Sequence, residues 1–163
     1  MNVTDTQISA PGALPGPPRE LLSSDVFLLK RLGFAAKDRS HTAFEGSGLS
    51  AFHYAVLALL EEDPRETQAQ IADALGYDRS WLVGLLDELE ERGLIERKRD
   101  PADRRRHLVS LKPAGREKLT ELRGISRRVE NEFLEGLDED ERRQLHDLLL
   151  KVAAHNDPRY RPN

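Results

Sequence analysis

Cysteine is absent from the 163 residues, which excludes disulfides, thiolate metal sites and thiol-based redox sensing. No apolar run approaches the roughly 18 residues of a membrane span. The N-terminus lacks the basic patch and apolar core of a secretory signal, so a cytoplasmic location is expected. The five histidines stand at positions 41, 53, 107, 146 and 155, without the His-x-x-x-His spacing of a metal site. There is no Gly-rich phosphate loop and no nucleophile elbow. Neither an enzyme nor a cofactor is expected, and the many acids read as solvated helix surface.

What the chain does have is charge, at 33% of residues against 38% hydrophobic. That balance suits amphipathic helices with solvated outer faces. The net charge of -4 looks wrong for a nucleic-acid binder, but its distribution is uneven. From Arg92 to Arg116 nine Lys or Arg face three acids, leaving sixteen basic and twenty-six acidic residues elsewhere. One basic segment on an acidic body is the pattern expected when a single surface meets a polyanion. A solvated loop is the plainer alternative.

Residues 1–19 hold four of the nine prolines and read as a flexible arm. A helix rich in apolar residues is expected from about Ser24 to Glu45, broken by Gly46-Ser47-Gly48. Ser50 then caps a second helix containing Val56, Leu57, Leu59 and Leu60. Thr67-Gln68-Ala69-Gln70 has capping-box form and opens a short helix that stops at Gly76. Asp78 caps the next helix, where Leu82, Leu85, Leu86 and Leu89 form a core stripe at i, i+3, i+4, i+7. Two helices joined by a three-residue turn containing Gly make a helix-turn-helix. Residues 94–99 and 107–111 alternate as two strands, joined by a basic turn through Pro101 and Asp103. Pro113 starts a long helix bearing Leu119, Leu122, Val129 and Phe133. Asp138 caps a last helix, with acids complementing its dipole and Leu145, Leu148, Leu149 and Val152 behind.

A helix-turn-helix followed by a hairpin with an arginine tip has the form of a winged helix. Its second helix suits the major groove, where base edges differ, and its hairpin suits the phosphates and minor groove. Residues 67–115 resemble the MarR (multiple antibiotic resistance regulator) family of winged-helix transcription factors. The resemblance rests on Ile71-Ala72-Asp73-Ala74-Leu75-Gly76, the run from Leu86 to Arg97, Asp100-Pro101-Ala102-Asp103-Arg104-Arg105, and Val109-Ser110-Leu111-Lys112-Pro113-Ala114-Gly115. It implies an Asp-x-Arg wing element, here Asp103 and Arg105, whose Arg enters the minor groove and whose Asp orients it. The chain departs from the family pattern at Trp81, Gly84, Glu88 and Lys112.

The expected fold is mostly α with a small β-hairpin wing (α+β), a winged helix-turn-helix flanked by long dimerisation helices. Its segments are an arm at 1–19, a dimerisation helix at 20–49, the winged helix-turn-helix at 50–112, C-terminal dimerisation helices at 113–155 and a tail at 156–163. A lone winged helix cannot cover so many leucines, and exposed patches of that size mark an interface; a self-contained bundle is the alternative. The expected DNA contacts are Thr67, Gln68, Arg79, Ser80, Trp81, Val83, Gly84, Arg97, Asp103, Arg104, Arg105 and Arg106. Trp81 either touches base methyls or packs over Tyr77 to fix the turn. The resemblance further implies a homodimer on a palindromic double-stranded operator, repression, and release by a small aromatic or phenolic ligand. Phe34, His41, Phe52 and His53 are the candidates for that ligand's pocket. The rival reading is a winged-helix protein-interaction module that has lost DNA binding.

Overall fold

The computed structural model describes residues 16–62, 66–103 and 106–161. Most of the expected N-terminal arm lies outside them, as do Arg104 and Arg105. The elements run in the order α1 (Arg19–Leu22), α2 (Asp25–Glu45), α3 (Ala51–Glu62), β1 (Glu66–Thr67), α4 (Gln68–Leu75), α5 (Arg79–Glu91), β2 (Ile95–Arg99), β3 (His107–Leu111), α6 (Pro113–Phe133) and α7 (Glu139–Asn156), closed by a 3-10 turn at Pro158–Tyr160. Two compact units divide the chain, residues 1–36 and 37–163.

In the first unit, Ser23 ends α1, its Oγ donating to the Arg19 carbonyl at 3.0 Å. Ser24 Oγ accepts from Phe27 N–H at 3.3 Å at the start of α2. Val26, Leu28, Leu29, Leu32 and Phe34 on this part of α2 are all exposed.

The second unit holds the core. Val56, Leu57 and Leu60 of α3 meet Ile71 and Ala72 of α4, the α5 leucine stripe, Ile95, Val109 and Leu111 of the strands, and Leu119 and Leu122 of α6. All four stripe leucines, Leu82, Leu85, Leu86 and Leu89, are buried, so the 3.6-residue period alone sets which face of α5 is left outward. Truncating one of them to Ala would cost about 2–5 kcal/mol. Close approach is needed where α6 begins, because a Cβ at Gly115 would collide with the Leu94 carbonyl oxygen.

β2 and β3 pair antiparallel, Ile95 opposite Leu111 through Arg99 opposite His107. The sheet is three-stranded rather than a bare hairpin, because β1 adds to the other edge of β3 with Thr67 opposite Leu108. That pairing ties the start of α4 to the base of the wing. The last helix is different in kind. Its N-terminus is well made, with Asp138 and Glu141 forming a capping box, yet no residue of α7 is buried and Leu148, Leu149, Leu150 and Val152 are exposed. Among the described residues no helix is long and apolar enough to cross a membrane, and no group of three or more His, Asp or Glu could hold a metal ion.

Candidate nucleic-acid interface

The reading unit is assembled from local signals. Thr67 caps α4: its Oγ1 accepts from Gln70 N–H at 3.3 Å, while Gln70 Oε1 accepts from Thr67 N–H at 3.0 Å. Gly76 ends α4 in the left-handed region, at φ 67°, which a side chain there would strain. Asp78 then caps α5, accepting from Ser80 N–H at 2.9 Å and Trp81 N–H at 3.0 Å. These bonds, with one from the Ser80 hydroxyl, hold the Asp78 carboxyl below the usual carboxylate range. Together they set the angle at which α5 leaves the turn.

The outward side of α5 carries Ser80, Trp81, Val83, Gly84, Glu88 and Glu91, all exposed. Trp81 packs edge-on against Tyr77 at 5.1 Å and Phe52 at 4.8 Å, and Phe52 meets Tyr77 at 5.7 Å. Edge-to-face pairing of this kind fixes ring orientation. Of the two roles open to Trp81, the packing one is therefore occupied, although 43% of the residue stays exposed. Arg79 lies 3.3 Å from Asp73 across the turn.

The expected DNA contacts are not equivalent. Thr67, Gln68 and Arg106 share a cleft of about 400 Å³ between α4 and the wing, with Ala69, Gln70, Asp73 and His107. Asp103 accepts from Arg106 N–H through its carbonyl at 2.9 Å, and its carboxylate lies 3.4 Å from Arg106 Nε. Arg97 is turned inward. Its guanidinium donates to Glu90 at 2.8 and 2.6 Å and sits 2.6 Å from Asp87, with only 20% of the side chain exposed. It was expected among the DNA contacts; the structure instead gives it acids of its own chain, which had no sequence signal because the pairing runs between a strand and a helix.

The four candidate ligand residues are not gathered around one cleft. Phe34 is an exposed residue of the first unit. His41 is exposed and 3.5 Å from Glu45 one helical turn away. Phe52 belongs to the ring cluster with Tyr77 and Trp81. His53 is buried; its Nδ1 accepts from Ser50 N–H at 3.1 Å, which leaves the ring proton on Nε2. Nε2 lies 3.3 Å from Glu88 Oε2, a charge contact without the alignment of a hydrogen bond. Burial pushes the His53 pKa down, helped by Arg92 and opposed by Glu88. A cleft of about 470 Å³ between α2 and α6 is lined instead by Asp38, Arg39, Thr42, Ala43, Val129 and Glu132. Arg39 there donates to the Glu132 carbonyl at 3.4 Å and stands 5.3 Å over the Phe133 ring. Sequence reasoning missed this cleft, since its residues are polar and spaced like an ordinary solvated helix face.

A family model described as the MarR family matches residues 47–106. A Thauera aromatica protein described as a transcriptional regulatory protein for the hcr operon is 32% identical over 127 residues, 77% of this chain and 76% of that protein. The X-ray structure of a MarR-family transcriptional regulator from Rhodococcus sp. RHA1 superposes with a TM-score of 0.74 at 34% identity, covering 81% of this chain and 94% of that one. The transcriptional repressor CouR, solved on a 23-mer DNA duplex, superposes with a TM-score of 0.76 at 33% identity, covering 82% and 95%. CouR from Rhodococcus jostii RHA1, solved with p-coumaroyl-CoA, gives 0.71 at 30% identity, covering 82% and 94%. With its buried leucine stripe, capped helix-turn-helix and paired wing strands, this chain belongs to the MarR family of transcriptional regulators.

Proposed function

We propose that this chain is a ligand-responsive repressor that binds a palindromic operator as a homodimer and has no catalytic activity of its own. The observation that carries the reading is the shared rigid mounting of its two DNA-facing parts. The outward side of α5 and the basic wing are joined through Arg97, Glu90 and Asp87, so a groove-entering helix and a phosphate-reaching hairpin keep one spacing. In this reading Thr67, Gln68, Arg79 and Arg106 meet backbone phosphates, Asp103 supports the wing arginines Arg104 and Arg105, and α5 reads bases.

The exposed leucines of α7 and those at the start of α2 are each too extensive to be left to water, and a second copy of the chain would cover them. Twofold symmetry matches a palindromic site. The effector enters the α2–α6 cleft, where Arg39 would pair with the carboxylate or phosphate of an aromatic ligand; relief of operator binding then requires tighter binding to one helix arrangement than to the other. No helix of the described residues is apolar enough for a membrane, and a cytoplasmic site of action follows from the DNA target.

Electrophoretic mobility of the protein's own upstream region, beside a scrambled duplex at the same salt, tests the reading. Discrimination between the two is expected. Equal retention, or none, would sink it and favour a winged-helix module that binds protein instead, a role to which the exposed acids Glu88 and Glu91 would be suited.

A further inference from the structure

The polar side chains at the front of α5 are already engaged within the chain. The Ser80 hydroxyl donates to the Asp78 carboxylate. Arg79 pairs with Asp73; being exposed, that pair is weak enough to open for a phosphate. Arg97 is held by Glu90 and Asp87. What projects from the first two turns is apolar: Trp81, 43% exposed, Val83, 41% exposed, and Gly84, with nothing within 4 Å of where a Cβ would stand. Phe52 and Tyr77 hold the indole from behind, so the patch is preset rather than mobile.

In a major groove, base edges present hydrogen-bonding groups and one apolar group, the C5-methyl of thymine. A patch of two hydrophobic side chains beside a bare glycine gains little from the former, and the single indole N–H cannot by itself distinguish four base pairs. Against a methyl it excludes water, and the glycine lets the helix backbone come close. Asp87, Glu88 and Glu91 on the later turns repel phosphate, which leaves the N-terminal turns as the inserted end.

We propose that Val83, with Gly84 and Trp81, reads the operator through thymine methyl groups, making Val83 a specificity-determining residue; this rests on the DNA-binding reading above. Affinity then comes from the phosphate contacts of the wing and the helix N-termini, and sequence preference from apolar burial. Removing one buried methyl should weaken binding about fourfold.

The test uses the full-length protein and duplexes it selects from a random pool. Each thymine of the selected half-site is replaced in turn by deoxyuridine, which lacks only the methyl. Wild type should lose about fourfold at one or two positions. Val83→Ala should bind the thymine duplex more weakly and lose most of its sensitivity to uracil at one of them. Gly84→Arg has open space for its side chain, so it should fold and shift the selected preference toward guanine, which arginine reads at two acceptors. If wild type discriminates its selected site from scrambled DNA yet tolerates uracil at every thymine, methyl reading is wrong while operator binding stands. If no duplex is preferred over any other, both fall.

Discussion

Arg97 of β2 and Glu90 of α5 are joined three times over: Nε and Nη2 donate to Glu90 Oε2 at 2.8 and 2.6 Å, and the Arg97 backbone N–H donates to Oε1 at 3.0 Å. The hydrogen bonds hold the glutamate carboxyl below and the guanidinium above their ordinary ranges. Asp87, one turn earlier on α5, closes on the same guanidinium. A planar fork filled by two carboxylates is a rigid joint, and here it lies between the part that would read bases and the part that would grip phosphates.

Arg97→Ala should therefore lower stability by about 1–3 kcal/mol, read by urea unfolding. Arg97→Lys should recover little, because an ammonium cannot fill the fork. Operator affinity should drop with the salt slope unchanged, since no phosphate contact is lost. A slope shallower by one phosphate per subunit would instead place Arg97 on the DNA.

Gly76 is the second fixed point. At φ 67° it ends α4, and the Arg159 guanidinium from the C-terminal 3-10 turn lies directly over it. Asp157 accepts from Arg159 Nε at 3.0 and 2.9 Å, and Arg159 Nη1 donates to the Asp73 carbonyl at 3.4 Å. Gly76→Ala should cost about 1–2 kcal/mol from the left-handed backbone alone. Adding Arg159→Ala should relieve only the crowding, so the double variant should remain less stable than Arg159→Ala by that amount. Thermal unfolding of the four proteins measures it, and equal stability of Gly76→Ala and wild type would show the turn to be relaxed.

His53 makes stability depend on pH. Its folded pKa is lowered, so the unfolded chain takes up a proton first as pH falls. The stabilisation is complete above about 6.5, the unfolded value, and is lost as pH drops from there through the lowered folded value. His53→Gln can still accept from Ser50 N–H but carries no proton, and should show a flatter stability profile between pH 7 and 5 in urea titrations. Parallel profiles for variant and wild type would remove His53 from the account.

The elements that could be read from sequence were those specified within a few residues. Thr67 and Gln70, Asp78, Gly76, Pro113 and Asp138 each act on their own helix end, and Leu82, Leu85, Leu86 and Leu89 declare their face by period. β1 was not expected because two residues carry no alternation; it exists because β3 offers an unpaired edge. The Arg97 joint, the ring cluster of Phe52, Tyr77 and Trp81, and the reach of Arg159 to Asp73 across 86 positions depend on which surfaces the core brings together. His53 was a candidate ligand residue by proximity to a helix junction, whereas the fold buries it against Ser50.

The wing itself is tested by charge. Arg105, the arginine of the Asp-x-Arg element, should meet the minor groove and its phosphates. Arg105→Ala should weaken binding to operator and scrambled duplex alike. Each phosphate neutralised contributes about 0.9 to the log-log salt slope, so a dimer losing one contact per subunit should become shallower by roughly 2. Asp103→Ala should give a milder form of the same change, because Asp103 supports the wing turn and makes no phosphate contact of its own. Val83→Ala should do the opposite, altering which duplex is preferred, by up to about 1–3 kcal/mol per lost base contact, while leaving the slope in place. Salt titrations of the three variants on both duplexes separate these classes. If Arg105→Ala keeps both affinity and slope, the hairpin does not reach the DNA, and the docking of this winged helix must be reassigned to α4 and α5 alone.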